Sequence, residues 1–171
     1  AGLKPLHGLE EVGYQHVRLE GGFWGPRLDR HHRTTIPHVL DKLEERHHVT
    51  NFDLAARVIQ SGTAGQGAAD GDEATRALEG NAGNQATEDK KTTADEIVGH
   101  SAFDSDVHKA LEGACYTLGH ADDPALRKRI DSILDRILAA QEDNGYLVSY
   151  FTAKEPDQKW ANMRLNQEMY N

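Results

Sequence analysis

Two apolar stripes at helical spacing, joined by a short loop, constrain the fold of this chain more than any other feature. The first stripe follows positions i, i+3, i+4, i+7, i+8 and i+11 and comprises Val107, Ala110, Leu111, Ala114, Cys115 and Leu118. The second comprises Leu126, Ile130, Ile133, Leu134, Ile137 and Leu138. Asp123 and Pro124 supply an N-cap and a first turn before it. Because only "GHADDP" joins the stripes, they predict two helices packed antiparallel and a mainly α fold.

The remaining sequence divides near residue 23. Residues 1–23 predict an extended N-terminal segment with a short strand in "VGYQHVRLEGGFW", and residues 24–171 predict a helical domain. Pro26 suits the first turn of a helix, whereas Pro37 predicts a kink or a restart. Residues 61–101 are rich in small and acidic residues and predict a flexible loop, because their few apolar side chains cannot offset the entropy of ordering them.

The C-terminal part of the sequence contains weaker signals. Asn144-Gly145 predicts the end of the second stripe's helix, and "GYLVSYF" predicts a brief strand or extended connection. A third helix is expected from about Asn162, with no C-cap before Asn171. We therefore expect the 171 residues to be part of a longer chain.

Charge and composition exclude several classes of function. The net charge of −9, from 19 basic and 28 acidic residues, argues against a nucleic-acid partner. The single cysteine, Cys115, excludes an intrachain disulfide, and its place in the first stripe predicts a buried side chain. No apolar run is long enough to span a bilayer and no export signal is visible, so we expect no membrane partner and a cytoplasmic location, with a processed secreted form left open.

Histidine doublets occur at His31-His32 and His47-His48. Adjacent helical residues point about 100° apart, so neither doublet is suited to chelate one ion. We expect solvated helix surface there rather than a metal site.

Asp104 and Asp106 precede the first stripe and allow two interpretations. Acids at a helix start commonly cap free backbone N–H groups. Carboxylates also hydrogen-bond sugar hydroxyls in a desolvated pocket. The polar group near the C-terminus is either exposed or lines a wet pocket, and it comprises Asn166, Gln167, Glu168, Tyr170 and Asn171.

Several strings occur in an order that resembles glycoside hydrolase family 127, the β-L-arabinofuranosidase family. They are "GFWGPRL", "IPH", "FDSDVHKALEGACYTL", "DDPAL", "AAQEDNGYLVSYF", "KW" and "RLNQEMYN". The resemblance covers residues 22–59 and 103–171 and leaves the central loop unmatched.

The resemblance implies the N-terminal part of an (α/α)6 barrel. It also implies a retaining, exo-acting hydrolase with a zinc-held cysteine thiolate as nucleophile and an assisting glutamate. In the family those catalytic residues and zinc ligands lie downstream of the matched region. The resemblance therefore places no catalytic or metal-binding residue in this chain and does not transfer the nucleophile role to Cys115.

One position departs from the family pattern. Many members have a histidine in an "HE-x-Y" motif where this chain has Gln167, and glutamine does not titrate near neutral pH. The residues that the resemblance assigns to sugar contact are Asp104 or Asp106, Gln167 and Tyr170.

The resemblance thus implies part of a hydrolase that acts on a terminal furanoside or an unusual deoxy-sugar, and we expect the 171 residues alone to be inactive. The alternative is a non-catalytic α-helical module that binds sugar or another protein through an exposed stripe, and a homodimer is one such arrangement.

Overall fold

The computed structural model describes residues 11–19, 21–62 and 96–170. Its α-helices are α1 (Gly25–Arg30), α2 (Ile36–Glu45), α3 (Thr50–Gln60), α4 (Asp104–Leu118), α5 (Pro124–Ala139), α6 (Ser149–Ala153) and α7 (Met163–Asn166). A π-helical turn covers His31–Thr35, and 3-10 turns cover Tyr14–His16, Pro156–Gln158 and Glu168–Tyr170. The described ranges contain no strand, so the predicted mainly α fold is confirmed. Most of the predicted central loop, residues 63–95, lies outside them.

The N-terminal part differs from the prediction at one place. The expected strand is wrong, because Tyr14–His16 form a 3-10 turn and the described residues offer no strand to pair with. The two prolines act as predicted. Pro26 lies in the first turn of α1, and Pro37 lies in the first turn of α2, directly after the π-helical turn. Because proline clashes with the carbonyl four residues earlier, a restart relieves the strain that a continuous helix would carry.

The core lies between α2, α3, α4 and α5. Its buried residues from α4 and α5 are Val107, Leu111, Ala114, Leu126, Ile130, Ile133 and Ile137. They pack against Ile36, Leu40, Leu43, Val49, Phe52 and Ala55. Full burial of each large aliphatic side chain contributes roughly 1.5–3 kcal/mol, so this layer is the main source of stability in the described residues.

Three residues at the edges of the stripes are not in the core. Cys115 is exposed, so its predicted burial is wrong, and Leu134 and Leu138 are 40% and 65% exposed. Cys115 lies eight residues after Val107, which places it about 80° around the helix. The neighbouring helices cover only the centre of each stripe.

An arginine joins three of these helices. Arg136 of α5 donates from Nε and Nη2 to the two carboxylate oxygens of Asp53 on α3, at 2.8 and 2.6 Å. It also donates from Nη1 to Glu44 of α2, at 2.7 Å. This forked geometry suits a guanidinium and fixes the spacing of α2, α3 and α5.

The chain after α5 folds back over the start of α4. The helix ends at Ala139, before Asn144-Gly145, and Gly145 (φ 88°) forms a turn whose N–H donates to the Glu142 carbonyl at 2.7 Å. Of the two structures predicted for "GYLVSYF", the strand is not formed. Residues 146–148 form a connection with an extended backbone at Val148 (φ −142°, ψ 106°), and α6 begins at Ser149. The third helix starts as predicted, with Asn162 capping the Leu165 N–H at 3.2 Å, but it is only four residues long.

In the described part of the chain, no helix is long and apolar enough to cross a membrane.

Candidate functional site

The C-terminal turn borders an open cavity of about 610 Å³. The cavity is lined by Met163, Arg164, Gln167, Met169 and Tyr170. Gln167 and Tyr170, two of the predicted contact residues, therefore line the same cavity. Gln167 has a left-handed backbone (φ 53°) at the end of α7, which lets the chain reverse into the 3-10 turn that carries Tyr170.

Glu168 holds this turn in place through buried hydrogen bonds. Its side chain is buried at 4% exposure, and both carboxylate oxygens accept from the Trp160 N–H, at 2.9 and 3.0 Å. The Tyr146 hydroxyl donates to Oε2 at 2.7 Å. Burial, followed by this hydrogen bond to Glu168, raises the pKa of Tyr146 well above its usual range. The phenol thus stays protonated and remains a donor to the carboxylate.

The other side of the turn is held by α4 and the residues before it. Lys109 Nζ donates to the Tyr170 hydroxyl at 2.6 Å and lies 4.2 Å from the centre of its ring. The Ser101 hydroxyl donates to the Asn166 carbonyl at 2.5 Å. Because Lys109 occupies an acceptor site on the Tyr170 oxygen, the phenolic hydrogen is left to donate to another group.

Asp104 acts as a buried connector between α4 and α6. It is 2% exposed, and its two oxygens accept from the Ser149 N–H and the Ser149 hydroxyl, each at 2.6 Å. Burial raises its pKa to about 6, although the hydrogen bonds from Ser149 act in the opposite direction. The predicted cap is not formed, because Phe103 is the N-cap residue and makes no side-chain capping bond.

Asp106 lies apart from the cavity, beside a group of aromatic rings. Its Oδ2 lies 3.9 Å from Nδ1 of His48, whose ring stacks on Phe103 at 4.8 Å. His100 meets the same phenylalanine edge-on at 4.6 Å. Burial lowers the pKa of both histidines. His48 is only 14% exposed, so the expectation of a solvated surface is wrong there.

Another cavity, of about 540 Å³, lies beside the N-terminal segment, α1 and the end of α4. Arg18, His32, Tyr116 and His120 are among its lining residues. None of the predicted contact residues reaches it. His32 Nε2 donates to the Asp123 carboxylate at 2.8 Å, which ties the π-helical turn to the start of α5.

The described residues do not fit a zinc ion, whose ligands the resemblance implies outside these 171 residues. Within residues 11–19, 21–62 and 96–170, no group of three or more His, Cys, Asp or Glu side chains is placed to hold a metal ion. Cys115, the only cysteine of the chain, is exposed on α4.

The sequence does not reveal that Glu168 and its hydrogen-bond donors support the cavity. Glu168 was expected to share the environment of its polar neighbours, yet it is buried while Gln167 and Tyr170 are exposed. Its donors lie at Tyr146 and Trp160, on separate segments of the chain. Only tertiary structure brings them together, so no local pattern distinguishes this glutamate from other acids of the sequence.

A family model and a curated protein both match this chain to the β-L-arabinofuranosidases. The family model described as "Beta-L-arabinofuranosidase, GH127 catalytic domain" matches residues 16–171. A non-reducing end β-L-arabinofuranosidase from Bifidobacterium longum subsp. longum is 42% identical over 60 residues, which cover 35% of this chain and 9% of that protein.

Two solved structures resemble the fold. A GH127 β-L-arabinofuranosidase from Geobacillus stearothermophilus T6 matches with a TM-score of 0.65 and 29% identity, covering 90% of this chain and 20% of that one. A second GH127 β-arabinofuranosidase matches with a TM-score of 0.64 and 29% identity, covering 93% and 21%. The chain thus spans about a fifth of the solved proteins it resembles.

Proposed function

The chain belongs to the family of GH127 β-L-arabinofuranosidase catalytic domains, and we propose that the whole protein is a retaining, exo-acting β-L-arabinofuranosidase or a related furanosidase. The observation that carries this proposal is the family match over nearly the whole chain, residues 16–171. The names of the similar proteins support a carbohydrate substrate with a terminal furanoside.

In this proposal the described residues bind the sugar. The Gln167 amide can both donate to and accept from sugar hydroxyls, and the Tyr170 hydroxyl keeps a hydrogen to donate because Lys109 occupies an acceptor site. Fixed partners of this kind replace the water that a polyol loses on binding. Asp106 is exposed but lies apart from this cavity, so it is not one of its sugar contacts. Both oxygens of Asp104 are occupied by Ser149, which suits a positioning role.

The proposal assigns the nucleophile, the acid/base and any zinc ligands to residues outside these 171. In the described residues Cys115 belongs to no group of three or more side chains that could hold a metal ion. We propose that α1 to α7 form part of an (α/α)6 barrel, with residues 1–23 as an extended segment and residues 24–171 within the catalytic domain. The similarity to the GH127 structures supports this architecture.

The proposal is tested with the full-length protein and 4-nitrophenyl β-L-arabinofuranoside. We expect release of nitrophenol and L-arabinose, with retention of anomeric configuration. The matched controls are the α-L-arabinofuranoside and a β-D-xylopyranoside, which an enzyme specific for the β-L-furanoside leaves intact. Binding of L-arabinose without turnover would instead favour a non-catalytic sugar-binding module, and activity on the pyranoside alone would contradict the proposal.

A further inference from the structure

We infer that Glu168 is a positioning residue that sets the affinity of the 610 Å³ cavity for its sugar, by fixing the turn that carries Gln167 and Tyr170. This inference rests on the proposed function. Glu168 does not line the cavity itself, so its effect is exerted through its two neighbours in sequence.

The hydrogen bonds of Glu168 come from two separate segments. Tyr146 precedes α6 and Trp160 precedes α7, and the carboxylate accepts from both. The rings of Tyr146 and Trp160 also meet edge-on, with centroids 5.0 Å apart. The carboxylate therefore joins the turn to two other segments of the chain, which also contact each other.

Gln167 lies between two residues that are held by hydrogen bonds, Asn166 and Glu168. On one side the Asn166 carbonyl accepts from Ser101, and on the other side Glu168 is buried. Gln167 itself has a left-handed backbone, which is strained for a residue with a side chain. Strain of this kind persists only where the surroundings enforce it, so the hydrogen bonds of Glu168 are needed to keep the Gln167 amide in place.

Loss of the carboxylate would affect binding more than chemistry. The Trp160 N–H and the Tyr146 hydroxyl would lose a strong acceptor, and the turn would relax from its strained geometry. The sugar would then have to order Gln167 and Tyr170 on binding, which weakens affinity. Because neither residue is assigned to the nucleophile or the acid/base, the effect should fall on KM rather than on kcat.

The test measures KM and kcat of full-length Glu168→Gln on 4-nitrophenyl β-L-arabinofuranoside. We expect KM to rise about tenfold while kcat changes less than about threefold. The matched control is Glu142→Gln. Glu142 is also a largely buried carboxylate, which accepts from the Thr152 hydroxyl and pairs with Lys159, but it does not line the cavity. We expect it to lower the melting temperature and to leave KM unchanged.

The outcomes separate this inference from the proposed function. An active enzyme whose KM is unchanged in Glu168→Gln overturns the inference alone, as does an equal rise in KM in Glu142→Gln. An inactive wild type overturns the proposed function. The inference is then decided by calorimetric titration with L-arabinose, where a tenfold weaker affinity in the variant supports it and equal affinity or no binding overturns it.

A second variant covers the case in which Glu168→Gln does not fold. Tyr146→Phe removes one donor and leaves the two contacts of the Trp160 N–H. We expect a smaller rise in KM, about threefold, with kcat nearly unchanged. An unchanged KM in a folded Tyr146→Phe would overturn the inference.

Discussion

The buried Asp104 carboxylate makes the stability of the protein depend on pH in a direction unusual for an aspartate. Burial raises its pKa from 3.8 to about 6. At about 1.36 kcal/mol per pKa unit, this corresponds to about 3 kcal/mol. Because the folded state binds the proton more tightly than the unfolded state, the contribution of Asp104 to stability falls as pH rises from about 4 to about 6 and is constant above that range.

The perturbation is Asp104→Asn, which keeps the size of the side chain and removes its titration. The free energy of unfolding is measured by urea denaturation between pH 4 and pH 7 for the wild type and the variant. We expect the stability of the wild type relative to the variant to fall by about 2 kcal/mol across this range, because part of the full effect lies below pH 4. The variant also loses a good acceptor for one of the two Ser149 donors, which shifts the whole curve without changing its slope.

Subtracting the two curves of unfolding free energy against pH removes the contributions of other titrating groups. Burial lowers the pKa of His48, His100 and His108, so these histidines cost stability as pH falls through the range just below 6.5. That dependence is present in both proteins and cancels in the difference. Asp131→Asn, which removes a carboxylate from an exposed position of α5, is the matched control. A flat curve for Asp104→Asn would refute the reasoning.

Three further predictions concern the core, an ion pair and the cavity. Arg136→Lys should lower the free energy of unfolding by about 1–2 kcal/mol in urea denaturation, because lysine cannot reproduce the forked contacts to two carboxylates. The control, Arg33→Lys, lies in an exposed ion pair and should change the free energy of unfolding little. Ile133→Ala should cost about 2–5 kcal/mol, and Leu138→Ala on the same helix should cost much less; a cost at Leu138 as large as at Ile133 would show that another part of the whole protein covers it. Gln167→His should add to KM a pH dependence near pH 6–7 beyond that of the wild type, because histidine titrates there and glutamine does not. Kinetics from pH 5 to pH 8 for the two proteins measure the difference.

The features that were predicted from sequence depend on local chemistry. Asp123 caps α5 by accepting from the Leu126 N–H at 2.9 Å, and Pro26 and Pro37 lie in first turns as expected. These outcomes follow from a missing backbone donor or a free N–H within a few residues. The helices of the two stripes were predicted for the same reason, since their periodicity is contained in one segment.

The features that were missed depend on which surfaces meet. The residues of "GYLVSYF" have high β propensity, but Ser149 begins a helix because its N–H and hydroxyl are held by Asp104, 45 residues away. Likewise, Cys115 belongs to an apolar stripe and is exposed because the packed layer covers only the stripe's centre. The support that Glu168 gives to the cavity has the same origin, since its donors are brought to it by the path of the chain.

The most direct test of the account is a crystal structure of the full-length protein with L-arabinose bound. The account predicts that the sugar lies against the C-terminal turn, with its oxygens about 3 Å from the Gln167 amide and the Tyr170 hydroxyl, and with Glu168 still bonded to Tyr146 and Trp160. A sugar bound elsewhere in the enzyme, with Gln167 and Tyr170 covered by other parts of the protein, would contradict it.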